Sequence, residues 1–182
     1  IPLEKLYRRY TGESLAVKLS DFADVSERIQ YLVTQVEEIT KIDNFGAYLT
    51  AMLEIDAFFM NEDRHTNNIA VIYNEKTQKY ELSPFFDQGL CMFADINQDY
   101  PIDQSLEYCL EKIEAKPFSS DFDIQLDAAE ELYGIQIGFQ FTFKDIQIYL
   151  QKNSENYPRE VIRRVEQLLR GQMRKYGYLM KK

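Results

Sequence analysis

The sequence has no tryptophan, one histidine, two cysteines and seven glycines in 182 residues, and each shortage closes off a class of chemistry. A single histidine, His65, excludes multi-histidine zinc sites and the H-E-x-x-H arrangement, both of which need two imidazoles. Cys91 and Cys109 are too few for a disulfide framework and form no C-x-x-C pair, so both are read as reduced thiols with ordinary packing roles. The glycines fall at 12, 46, 89, 134, 138, 171 and 177 and nowhere make a G-x-G-x-x-G phosphate-covering loop. Basic residues are scarce too. The 21 Lys and Arg stand against 30 Asp and Glu, for a formal net charge of −9, the opposite of what a nucleic-acid backbone attracts. No stretch approaches the roughly 20 apolar residues of a membrane-spanning helix, and no signal-peptide series opens the chain. A cytoplasmic protein with no membrane partner and no direct nucleic-acid binding is expected.

What is present is apolar material, 45% hydrophobic and 14% aromatic residues, enough for one ordered domain over 1–182. Apolar spacing predicts short helices over 2–10 and 14–22, parted by the turn signal Thr11-Gly12. A third helix starts near Asp24, capped by Asp24 or Ser26, and carries Ile29, Leu32, Val33, Val36 and Ile39 on one face. A fourth, capped by Asp43 or Asn44, carries Phe45, Tyr48, Leu49, Met52, Leu53 and Phe59 and delivers the chain to Asn61. Ile69–Tyr73 and Lys79–Leu82, joined by the turn-like Asn74–Gln78, read as a β-hairpin. Residues 90–118 look irregular apart from a short helix near 105–113, and helical patterns return at 121–133, 143–152 and 158–176. The acidic pairs Glu37-Glu38 and Glu130-Glu131 read as solvated helix faces. The prediction is mainly α: a helical bundle with one small hairpin.

Chemistry concentrates in Asn61–Asn68, an almost wholly polar run, NEDRHTNN, between strongly hydrophobic neighbours. Asp63 and Asn68 lie five apart, the spacing at which a kinase catalytic loop places its base and a metal-holding amide. Phosphoryl transfer needs hard oxygen ligands for Mg²⁺ and a carboxylate to orient the attacking hydroxyl. The hairpin after the loop returns the chain to its starting point, so Asp87, in Asp87-Gln88-Gly89 at the far end, can meet Asn68 at the near end. The plain alternative is that Asp63, Asn67 and Asn68 only shape a helix-to-strand turn. That reading leaves Pro84 and Asp87 unexplained.

The order Asn61-x-Asp63-x-His65-x-x-Asn68, then Leu82-Ser83-Pro84-Phe85-Phe86-Asp87, resembles the two C-terminal signatures of HipA-type kinases, with Phe86 where Tyr is common. The resemblance implies a protein-kinase-like C-lobe of the HipA C-terminal type, with the hairpin carrying the metal site. It implies a Mg²⁺- and ATP-dependent serine/threonine kinase in which Asp63 is the catalytic base and His65 an active-loop residue. Asn68 and Asp87 would hold Mg²⁺ and, through it, the nucleotide. The span 90–118 would stand where a kinase has its activation segment, with Ser105, Ser119 and Ser120 as phosphorylation sites or as ordinary loop residues. Asp63-Arg64-His65 also resembles the D-R-H-x-x-N loop of phosphoinositide kinases, which keeps a lipid or small-molecule kinase as a lesser alternative. A C-lobe without an ATP-covering lobe would be a pseudokinase-like interaction module. The start at Ile1 rather than Met suits a segment cut from a longer chain, so the N-lobe is expected to be missing here and the fragment alone inactive. Ala16-Val17-Lys18 superficially matches the kinase lysine motif, but it lies in a helical pattern without a preceding strand, so Lys18 is read as a solvated helix residue. A protein substrate is implied, and an N-lobe or an antitoxin-like protein would be the partner.

Overall fold

Glu4, in the first turn of helix α1 (Leu3–Thr11), reaches both the start of α2 (Leu15–Ser20) and Thr66 in the polar run. The computed structural model describes residues 1–181. Gly12 closes α1 in the left-handed conformation at φ 82°, where a side chain would be strained. Ser14 caps α2 by accepting from Val17 N.

The remaining helices are α3 (Val25–Thr40), α4 (Phe45–Phe59), α5 (Leu106–Lys112), α6 (Phe122–Tyr133), α7 (Phe143–Lys152) and α8 (Arg159–Lys175). Asp24, not Ser26, caps α3. Asn44 precedes α4 but caps nothing with its side chain; Glu37 of α3 takes the Phe45 N–H instead, at 3.1 Å. The acidic pair Glu37-Glu38, predicted as a solvated face, therefore has one member tied to the next helix. Lys18 does lie on a helix, paired with Asp21 at 3.1 Å.

Helix α4 is the axis of the molecule, packed between α3, α6 and α8. The sequence pattern gives it one apolar face, yet it is buried nearly all round, including Thr50, Glu54 and Asp56. Buried polar groups are tolerable only when bonded, and these are. Thr50 donates to Gly46 O, and Glu54 accepts from Gln136 N and Ile137 N at 2.7 and 2.6 Å. Gln172 of α8 donates to Ala57 O and Phe58 O, which satisfies the carbonyls that the end of α4 leaves open. Around these bonds Phe45, Leu49, Leu53 and Phe58 are fully buried, each contributing about 1.5–3 kcal/mol of apolar transfer.

Strands β1 (Val71–Asn74) and β2 (Lys79–Leu82) form the antiparallel hairpin, with Val71 opposite Leu82 and Tyr73 opposite Tyr80. The strand begins two residues later than the apolar run predicts, because Leu3 N takes the Ile69 carbonyl and Pro2 bridges to Ala70. The irregular span between β2 and α6 is held from below by Arg164 of α8, a buried side chain that donates to the carbonyls of Tyr100, Pro101 and Gln104.

Candidate active site

Helix α4 ends at Met60, a buried residue at φ 54°. Left-handed backbone is costly for a side chain of this type, of order 1–3 kcal/mol, and persists only where the surroundings dictate it. Here the turn throws Asn61–Asn68 back across the end of the helix. Asn61 Nδ2 donates to Asp56 Oδ1 at 2.8 Å, and Asp63 N and Asn61 Oδ1 lie 3.3 Å apart.

Arg64 organises the rest of the polar run. It is fully buried and meets Asp56 in a two-pronged pair, Nε to Oδ2 at 2.6 Å and Nη2 to Oδ1 at 3.0 Å. Its third nitrogen, Nη1, donates to Asn68 O at 2.7 Å and to Phe86 O at 2.9 Å. One atom therefore holds together the end of the polar run and the residue before Asp87. Burial works to push the Asp56 carboxyl up, and the Arg64 guanidinium and Asn61 amide oppose it. The bidentate geometry is that of a carboxylate facing a guanidinium.

Three of the predicted residues, Asp63, His65 and Asn68, gather beside this clamp. Asn68 Nδ2 donates to Asp63 O at 2.9 Å and lies 3.3 Å from Asp63 Oδ2. Among the described residues the Tyr48 hydroxyl is the one buried side-chain polar atom without a partner. Asn68 Oδ1, which accepts no hydrogen bond there, therefore reaches solvent. Asp87 is exposed, at φ 58°, in a left-handed turn that Asp accepts more readily than most residues. Segment 87–92 is laced to the loop by Glu62 N to Leu90 O (3.4 Å) and Met92 N to Phe59 O (2.9 Å). His65 Nδ1 accepts from Asn67 N at 3.2 Å, which leaves the ring proton of a neutral imidazole on Nε2, 3.8 Å from Asp63 Oδ2. His65 therefore stands next to Asp63, beyond direct hydrogen-bond distance.

Three participants escape a sequence reading. Asp56 is a lone acid in the apolar stretch Ile55–Phe59, a signal for a buried partner that a helical pattern alone does not resolve. Arg64 stands inside the motif with nothing to mark it as internal. Lys116, whose Nζ lies 3.5 Å from Asp63 Oδ1, comes from the irregular span before α6 and has no local signal at all.

Around the loop, Glu62 is half-buried and accepts from the Tyr100 hydroxyl. Burial pushes its carboxyl up, and that hydroxyl pulls the other way. Burial, with the nearby Asp56 carboxylate adding to it, pushes the Cys91 thiol up to about 12. Ser105, Ser119 and Asp121 accept backbone N–H groups at or before the starts of α5 and α6.

Asn68 Oδ1 and the Asp87 carboxylate are hard oxygens suited to Mg²⁺, which commonly takes one or two protein ligands and completes its shell with water and phosphate. Among the described residues no three His, Cys, Asp or Glu side chains come close enough to cage an ion by themselves. No family model matches the chain, and no curated protein or solved structure does.

Proposed function

We propose that this chain is the magnesium-holding half of a phosphotransferase, moving the γ-phosphate of ATP to a serine or threonine hydroxyl. The observation that carries the reading is the Arg64 Nη1 clamp on Asn68 O and Phe86 O. It ties the backbone of Asn68 to that of Phe86, the residue before Asp87, and this juxtaposition at the foot of the hairpin supports a metal shared by Asn68 and Asp87. The order of residues shared with HipA-type kinases supports the serine/threonine choice.

In this mechanism Asp63 accepts the proton of the substrate hydroxyl and points its oxygen at the phosphorus, a role worth about 10²–10⁴ in rate. Asn68 Nδ2 holds one oxygen of that carboxylate, with His65 alongside, which limits reorientation when substrate arrives. Asn68 and Asp87 would hold Mg²⁺, which neutralises phosphate charge when bound. Arg64, with its donors committed to Asp56 and two carbonyls, keeps that spacing and touches no substrate.

The test is calorimetric titration of Mg²⁺·ATP into this chain and into the intact protein that carries it, beside Asp87→Asn. Asn tolerates the left-handed turn, so the fold should survive. Magnesium-dependent binding that Asp87→Asn weakens at least tenfold is expected. Binding by neither form of the wild type would overturn the reading and leave a non-catalytic interaction module.

A further inference from the structure

Lys116 is mounted differently from an ordinary surface lysine. Its carbonyl accepts from Gln125 Nε2 at 3.2 Å, and the Oε1 of that buried glutamine accepts from Phe118 N at 3.3 Å. Ala115 N donates to Ser120 O at 2.8 Å, and Arg28 Nη1 to Phe118 O at 2.6 Å. Ala115 and Phe118 on either side are buried. The backbone of this turn is therefore fixed to α6 and α3, while the side chain is half exposed and its ammonium lies 3.5 Å from Asp63 Oδ1. An exposed ion pair of this kind adds about 0–1 kcal/mol to stability, so folding gives little reason for it.

We infer that Lys116 contacts the phosphoryl group in transit and stabilises its charge. The inference rests on the phosphotransferase reading. If Asp63 holds the acceptor hydroxyl, the equatorial phosphate oxygens lie two bonds beyond its oxygen, through the phosphorus, within the sweep of a flexible lysine stem already at that carboxylate. Among the described residues Lys116 is the one lysine or arginine paired with Asp63. Arg64, though near, is buried with its guanidinium fully engaged. In the step itself the acceptor oxygen bonds to the γ-phosphorus and its proton passes to Asp63. The bond from phosphorus to the bridging oxygen breaks, and the electron pair leaves with ADP. Lys116 exchanges no proton and follows the charge.

The experiment measures phosphate transferred or released from γ-labelled Mg²⁺·ATP by the intact protein, for wild type, Lys116→Met and Lys116→Arg, across pH. Lys116→Met should lower kcat by about 10²–10³, as loss of a transition-state charge donor does. Its KM for ATP should stay within about threefold and its melting temperature unchanged, and Lys116→Arg should recover part of the rate. A kcat within twofold of wild type would overturn the assignment. So would a loss that higher pH fully restores, since Lys116 would then do no more than keep Asp63 deprotonated. Wild type without turnover, and without Mg²⁺·ATP binding sensitive to Asp87→Asn, would instead refute the phosphotransferase reading and this assignment with it.

Discussion

Cutting the Asp56–Arg64 pair from each side should give two different failures. Asp56→Ala removes both oxygens that Arg64 Nε and Nη2 donate to, at 2.6 and 3.0 Å, and the one that Asn61 uses. The guanidinium is fully buried and cannot shed its charge. Breaking such a pair costs about 3–5 kcal/mol, a large part of a typical 5–15 kcal/mol total, and for a domain of this size lowers Tm by about 6–20 °C. Arg64→Met leaves instead a buried carboxylate on α4 without its cation, and a carboxylate can escape by taking a proton. Burial then raises its folded pKa above the unfolded value of about 3.9. The ionisation penalty is complete at pH values above the raised folded value. It shrinks as pH falls through that value and vanishes below the unfolded one, where both states are protonated. Urea unfolding at about pH 7.5 and about pH 5 separates the cases. Relative to wild type, Arg64→Met should recover stability on acidification and Asp56→Ala should not. A cost under about 1 kcal/mol for Asp56→Ala, or the same pH response in both variants, would refute the argument that these charges are held only by each other.

Two further outcomes test how the site is braced. Burial pushes the Glu4 carboxyl up, but bonds from Ser14, the Ala16 N–H and Thr66, with Arg8 alongside, outweigh it and hold the group below the usual carboxylate range. A lowered folded pKa gives stability above the unfolded value that is lost as pH falls through the folded one. Glu4→Gln should therefore cost about 1 kcal/mol near neutrality and progressively less below about pH 4, read as the difference in Tm from wild type. At Gly46, where α4 meets α6, a Cβ would fall inside contact distance of the Tyr133 ring. Gly46→Ala should destabilise by about 1–3 kcal/mol in thermal unfolding, and an unchanged Tm would mean that the ring has room to move.

The helices were legible because their apolar residues recur at helical spacing and because Asp24 stands where a cap is needed; Ser105, Asp121 and Thr142 cap the later helices in the structure. The hairpin was legible from two short β-prone runs around a polar turn. Three things were not legible. The one-sided pattern of α4 hid a helix surrounded on all sides, because Thr50, Glu54 and Asp56 read as polar positions until their partners at Gly46, Gln136 and Arg64 are known. The cap of α4 falls by sequence to its neighbour Asn44, whereas a carboxylate from α3 does part of that work. Ser105, which sequence position alone offers as a phosphorylation site, has its hydroxyl engaged as a helix cap.

The sequence by itself determined where the proposed site residues fall along the chain: Asp63, His65 and Asn68 lie on the loop after α4 and Asp87 lies beyond the hairpin. Periodicity and side-chain type are local properties, so a sequence expresses them directly. Only the tertiary structure decided that Arg64 faces inward to join Asn68 to Phe86, that Asp56 balances it, and that Lys116 arrives at Asp63 from a distant turn. The bonds to Phe86 and from Lys116 join residues far apart in the chain, and even the nearer Asp56–Arg64 pair depends on which way a side chain faces once the helices pack, so no short-range pattern encodes them.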